Sequence, residues 1–464
     1  MNGKIIEECK KEAKKWDLSE QWYIKDTINY EQWRTRMYGF GSFRTYDDTK
    51  LFSLSDSLPD LKELFSKKKN GNKKKLYVYV HIPYCIRKCL FCYFNTELLP
   101  EDEFLDRYVD ALIKNIDMLK EAIEFEIEPV AIHFGGGTPT LIGADRMDRL
   151  TYAIREKLNV CAGVPWTVEA TPDSLLREGG AETLRAMKKN GVTRLSIGVQ
   201  TFSNEVLKLT KRAHSATDAA NSIEVARENG FDNINIDLLL GMPGQNMYNW
   251  IETLDKLNEI RTESVTLYYI KWLDYFQNQK NMYEMRENNI SQFPTNEETL
   301  EMDLILSRYM KDMKYVLNRP CSWTKEEKYF SYPQFSDILP IGASAFSYFA
   351  NYHMRNLNES NEYIKAIESG KLPFINTCAK LTDEYLQFKK FSSELQFINE
   401  KGLDLNEFYK EIEPEKIERF EEICKILSNK GLIKKEGSRA LLTEKGCLCA
   451  DEIVKFIATF GGEE

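Results

Sequence analysis

Three cysteines, Cys85, Cys89 and Cys92, fall within the stretch HIPYCIRKCLFC (His81–Cys92), directly after an apolar, strand-like run. Their number and spacing restrict the chemistry. An odd set of thiols is a poor disulfide framework, and the opening residues MNGKIIEECKKEAKKWDL lack the apolar core of a secretory signal. Structural zinc takes four ligands, commonly as two separated pairs, and no second pair follows here. His81 would complete a Cys3His set only from a strand end, four residues ahead of Cys85. Iron–sulfur clusters are also held by closely spaced thiolates, normally four of them. Three protein thiolates on a four-iron cube leave one iron without a protein ligand. An open metal position is where a centre does chemistry rather than hold a fold.

Further chemistry-bearing residues follow at strand ends. HFGGGTPT (His133–Thr140) lacks the Lys-Ser/Thr of a phosphate loop and does not match GxGxxG; read alone, it is a tight strand-to-helix turn. TVEATPDSL places Glu169 near the end of a strand, SIGVQTF offers Gln200, LTKRAH offers Arg212, and INIDLLLGMPGQ offers Asp237. A carboxylate inside an apolar strand needs a partner, and Arg212 is the expected one for Asp237. Of the other cysteines, Cys9, Cys161, Cys321, Cys378 and Cys424 read as packing residues, and Cys447 and Cys449 as a buried pair.

These residues need a scaffold. Six β-rich runs (76–82, 130–134, 165–170, 193–200, 233–241 and 264–270) alternate with helical segments near 102–125, 144–158, 180–190, 203–212, 216–229 and 246–260. Such alternation implies right-handed parallel crossovers, and six units fit an incomplete barrel better than an eightfold one. ILPIGASAFSYF (338–349) reads as a further segment returning to the core. Beyond about 380, a helix near 414–429 and a hairpin over 429–446 form a winged-helix-like pattern. The expected fold class is α/β: a partial, TIM-like (βα)6 barrel with an N-terminal extension and a C-terminal winged-helix-like α+β domain. The expected boundaries are 1–75, 76–375 and 376–464.

The chain of 464 residues carries a net charge of -9, which argues against a general nucleic-acid surface. The cationic run SKKKNGNKKK reads as a solvated linker. No apolar run approaches the roughly 18 residues of a membrane span. A cytoplasmic protein acting on a small molecule, with no nucleic-acid or membrane partner, is expected.

CxxxCxxC after a strand, followed in order by GGGTPT, VExxPD, GVQxF and IDLxxGxP, resembles the radical S-adenosylmethionine (SAM) superfamily. Within it, the resemblance is to the group of oxygen-independent coproporphyrinogen III oxidase, the haem chaperone and the class C methyltransferases. It is strong over about 76–270 and weaker beyond, where it implies a coproporphyrinogen-oxidase-like C-terminal domain. It implies a [4Fe-4S] cluster on Cys85, Cys89 and Cys92, and SAM chelated to the free iron. It also implies a 5′-deoxyadenosyl radical that takes hydrogen from substrate, and a one-electron donor such as flavodoxin or ferredoxin. Gly136, Gly137 and Thr138 then line the methionine moiety, Glu169 binds the ribose hydroxyls, and Tyr79, Phe91, Gln200, Arg212 and Asp237 complete the SAM site. A second SAM is expected beside the first, with the small residues of GASAFS allowing close approach.

Two departures bear on the branch. Cys92 is followed by Tyr93 and Phe94 rather than by a further cysteine two residues on, and no histidine stands in KEEKYFSYPQFSDILPIGASA. Methylation or related C–C bond formation is the first reading. Tetrapyrrole oxidation, with Arg34, Arg36 and Arg44 available for propionates, and haem delivery are the alternatives.

Overall fold

The structure is a computed structural model, and it describes residues 3–16, 51–53, 73–123, 125–270, 280–326, 337–349, 352–374, 377–380, 383–398 and 402–460. Arg34, Arg36, Arg44 and most of the lysine-rich run lie outside these residues.

The chain forms two compact units, one of 46–237 with 331–381 and the other of 1–45, 238–330 and 382–464. A mostly parallel nine-stranded sheet with helices dominates the fold. Its strands are β1 (Lys74–Ile82), β2 (Ile127–Gly136), β3 (Trp166–Ala170), β4 (Arg194–Gln200), β5 (Ile234–Leu240), β6 (Ser264–Tyr269) and β7 (Asp337–Ile341), with two short strands, Val316–Arg319 and Ser322–Thr324. The first six fall on the six expected runs, with β2 extended through two glycines. The sheet has two distinct end strands and is not a closed ring, as the incomplete series of units implies. The expected returning segment is β7, which pairs in parallel with β1.

In the first unit the strand order is β7, β1, β2, β3, β4, β5. Side chains alternate across a strand. One face is apolar: Val78 and Val80 of β1, Val168 of β3, Leu195, Ile197 and Val199 of β4, and Ile234 and Ile236 of β5 are all fully buried. Helices Asp102–Ala122, Ala144–Lys157 and Gly180–Lys189 bury matching apolar residues, among them Leu112, Ile116, Leu150, Ile154, Leu184 and Met187. The other face is polar. Register puts Tyr79 beside His133, His133 beside Thr167, and Thr167 beside Arg194; one step further along, His81 lies beside Gly135 and Glu169 beside Ser196. That face of the sheet is therefore a polar lining rather than a second apolar core.

In the second unit, β6 pairs antiparallel with Ser322–Thr324, which pairs with Val316–Arg319. Leu403–Asp404, Arg439–Leu442 and Ile433–Glu436 form a three-stranded antiparallel sheet, the last two being the expected hairpin. Phe391, Phe408 and Phe420 make its aromatic core, with Phe408 and Phe420 4.9 Å apart edge to face. Of the cysteines read as packing residues, Cys9 and Cys424 are buried and Cys321 is partly so, but Cys161 is exposed. The Cys161 reading fails because its turn after Ala144–Lys157 faces solvent. Of the expected buried pair, Cys449 is buried and Cys447 only partly, both as free thiols. Among the described residues no helix is long and apolar enough to cross a membrane.

Candidate active site

The cysteine loop leaves the end of β1 and is fixed from two sides. From one side, Gly137 N–H donates to the Ile82 carbonyl and Thr138 N–H to the Tyr84 carbonyl, both at 2.8 Å. From the other, Leu90 N–H donates to the Thr210 carbonyl at 3.2 Å. The glycine run is thus a clamp on the chain's own backbone. A Cβ on Gly137 would lie 2.6 Å from the backbone of Pro83 and Tyr84, and one on Gly136, whose φ is +110°, would lie 2.7 Å from the His81 ring. Close approach does require glycine here, but the approaching groups described are protein atoms. Thr138 Oγ1 stands 3.8 Å from Cys85 Sγ.

All three cysteines are partly exposed free thiols. Burial, foremost, pushes the Cys85 thiol up to about 11 and the Cys92 thiol up to about 12, with the neighbouring Cys89 adding to each shift. Metal binding reverses such a preference by displacing the protons. Among the described residues no three His, Cys, Asp or Glu side chains are grouped to share one metal ion. Three thiols on one loop, with no fourth cysteine beside them, fit a cluster bound at three corners.

Arg212 faces this loop. Its Nη1 donates to Cys89 Sγ at 3.2 Å, its Nη2 to the Gly198 carbonyl, and its buried Nε finds no partner. The expected pairing with Asp237 does not form. Asp237 is held by Asn235 Nδ2 at 2.8 Å and by Ser196 Oγ at 3.2 Å. Burial first, and the charge of Glu169 second, push its carboxyl up to about 7.

Glu169 accepts from His133 Nε2 at 2.8 Å. Gly135 explains how it reaches there: a Cβ on that glycine would lie 2.9 Å from Glu169 Oε1 and 3.1 Å from His133 Nε2. Gln200, at the end of β4, has φ +69°, a left-handed conformation that costs a side-chain-bearing residue energy and turns it at a strand end. Tyr79 is buried. Its hydroxyl donates to His81 Nδ1 at 2.9 Å, while His81 Nε2 donates to the Asn95 carbonyl at 3.3 Å. Burial lowers the His81 pKa to about 4, so the ring is neutral with its proton on Nε2. Phe91, between Cys89 and Cys92, is partly exposed.

The GASA turn after β7 closes over the end of β1. Tyr108 Oη donates to the His81 carbonyl and accepts from Ala343 N–H, each at 2.9 Å. A Cβ on Gly342 would meet the His81 carbonyl oxygen at 2.3 Å. At Gly342 the absence of a side chain makes room for the backbone of β1.

His133, Arg194, Ser196, Asn235 and Asn95 are site residues that motif reading missed. Their signal was the polar half of the period-two alternation on β2, β4 and β5, with Asn95 reachable only through the fold.

Residues 79–257 match the Radical SAM superfamily, so this stretch is a radical SAM domain. Its cofactors are therefore a [4Fe-4S] cluster and SAM. The particular relatives come from one group. The chain is 28% identical over 378 residues to a protein named heme chaperone HemW from Lactococcus lactis, covering 79% of this chain and 93% of that protein. It is 31% identical over 199 residues to the oxygen-independent coproporphyrinogen III oxidase of Paracoccus denitrificans, covering 42% of this chain and 43% of that one. The fold matches that of coproporphyrinogen III oxidase (HemN) from Escherichia coli with a TM-score of 0.77 over 96% of this chain and 99% of the other, at 22% identity.

Proposed function

We propose that this chain is a radical SAM enzyme that abstracts hydrogen from a tetrapyrrole-class substrate, a porphyrinogen being the first to test. The observation that carries the enzyme reading is the clamped loop of three thiols at the rim of a polar strand face. When bound, the cluster supplies the electron that cleaves SAM to the hydrogen-abstracting 5′-deoxyadenosyl radical. Cys85, Cys89 and Cys92 would hold it, and Gly136, Gly137 and Thr138 fix the loop's shape. Glu169, oriented by His133, offers a carboxylate to the ribose hydroxyls. Tyr79, Gln200, Arg212 and Asp237 line the polar face beside it, and Phe91 shields the cluster. A second SAM beside the first belongs to the same reading.

The names of the relatives support the substrate class. Arg355 adds a cation close enough for its charge to act on Tyr79 and His81. Against haem delivery through an imidazole ligand, His81, His214 and His353 are buried and His133 is bonded to Glu169. The exposed Ile86, Arg87 and Lys88, inside the cysteine loop, suit an acidic one-electron carrier of the flavodoxin or ferredoxin kind.

Methyl transfer or C–C bond formation is the second reading. Its basis is the sequence, in which Cys92 is followed by Tyr93 and Phe94 rather than by a further cysteine two residues on. The deciding experiment incubates the reconstituted, reduced protein with SAM and coproporphyrinogen III without oxygen. Formation of 5′-deoxyadenosine with a decarboxylated porphyrinogen supports the proposal. 5′-Deoxyadenosine together with S-adenosylhomocysteine moves the assignment to methyl transfer, and neither product with tight haem binding moves it to haem delivery.

A further inference from the structure

Arg212 places a guanidinium nitrogen against a thiol of the cysteine loop. Its guanidinium is held at two points: Nη1 donates to Cys89 Sγ at 3.2 Å and Nη2 to the Gly198 carbonyl. The backbone N–H of Arg212 donates to the Leu207 carbonyl at 2.9 Å. The backbone preceding it turns through Lys211 at φ +58°. The room is provided by Gly198, where a Cβ would stand 3.5 Å from Nη2 and 3.0 Å from the Gln200 amide. The Leu90–Thr210 hydrogen bond ties the cysteine loop to the same turn.

We infer that Arg212 sets the reduction potential of the cluster, holding it less negative than the three thiolates alone would. The inference rests on the cluster reading above. A [4Fe-4S] centre with two positive charges on three thiolates carries one net negative charge, and uptake of one electron makes it two. A fixed guanidinium hydrogen-bonded to a ligand sulfur favours the more negative state, and hydrogen bonds to sulfur are among the recognised levers on such potentials. Arg87, on the same loop but exposed, is screened by water and acts less.

The test is a redox titration of the anaerobically reconstituted full chain without SAM, followed by the electron paramagnetic resonance of the reduced cluster. Iron and sulfide are assayed in each sample. Arg212→Gln is expected to keep its iron and lower the midpoint by roughly 59 mV, a tenfold change in a one-electron equilibrium. Arg212→Lys keeps the charge without the fixed fork, and its midpoint should fall between the two. Arg87→Gln should move it less than either. An Arg212→Gln cluster with full iron and an unchanged midpoint overturns the inference, even if SAM binding weakens. Loss of iron from both Arg212 variants, with iron retained in the wild type, overturns it in favour of a role in assembly. Absence of iron and sulfide from the wild type would instead remove the cluster reading itself.

Discussion

His133 Nε2 lies 2.8 Å from Glu169 Oε1, joining two neighbouring parallel strands across the glycine that separates them. The bond fixes which way the carboxylate points. If Glu169 receives the ribose of SAM, then His133→Ala should weaken SAM binding about tenfold. A hydrogen bond to a charged group contributes about 1.5–3 kcal/mol, and the partial exposure of this pair places it at the low end. His133→Gln, which can still donate, should recover part of the loss. Equilibrium binding of SAM to the unreduced, cluster-loaded protein measures this, and equal affinities in all three proteins would detach Glu169 from the ribose.

Asp237 gives the fold a pH signature. Its carboxyl is raised from the ordinary 3.8 to about 7 by burial and by Glu169. The native state therefore holds this proton more tightly than the unfolded chain does. Between about pH 4 and about pH 7 its contribution to stability falls as pH rises, and above that range it is constant. Asp237→Asn lacks the group, so its melting temperature should gain on the wild type steadily across that window. Parallel melting curves from pH 4 to 7 would show that the carboxyl titrates as it does in water.

Tyr79→Phe removes the donor to His81 Nδ1 and leaves that nitrogen buried without a partner. The expected cost is about 1–3 kcal/mol of stability, seen as a lower urea midpoint with an unchanged slope. A variant as stable as the wild type would indicate that water reaches His81.

Gly342→Ala places a Cβ against the His81 carbonyl at a residue whose φ is +101°. Backbone strain and overpacking each cost on the order of 1–3 kcal/mol, so the variant should lose several. Loss of less than about 1 kcal/mol, by chemical unfolding, would mean that the turn after β7 is free to move away from β1.

Much was legible without coordinates. The six parallel strands, the helices between them, the returning segment that became β7 and the C-terminal hairpin were all readable from local patterns, because periodicity and turn chemistry are local properties. So were the three cysteines and the glycine run, since each is a short motif. The polar strand face was also present in the alternation of Arg194, Ser196, Gly198 and Gln200, but a period-two pattern names a face without saying what it meets.

The sequence by itself determined where the cysteine and glycine motifs fall and which runs form the six strands around them. Only the tertiary structure decided who touches whom. Arg212 and Cys89 are 123 residues apart and His133 and Glu169 are 36 apart; the second pair depends on the register of neighbouring strands, and both on the room left by a missing Cβ. Charge complementarity suggested Arg212 for Asp237. Geometry gave Asp237 to Ser196 and Asn235 and turned the guanidinium to the thiols, because a hydrogen bond is set by distance and direction, which the order of residues along a chain does not contain.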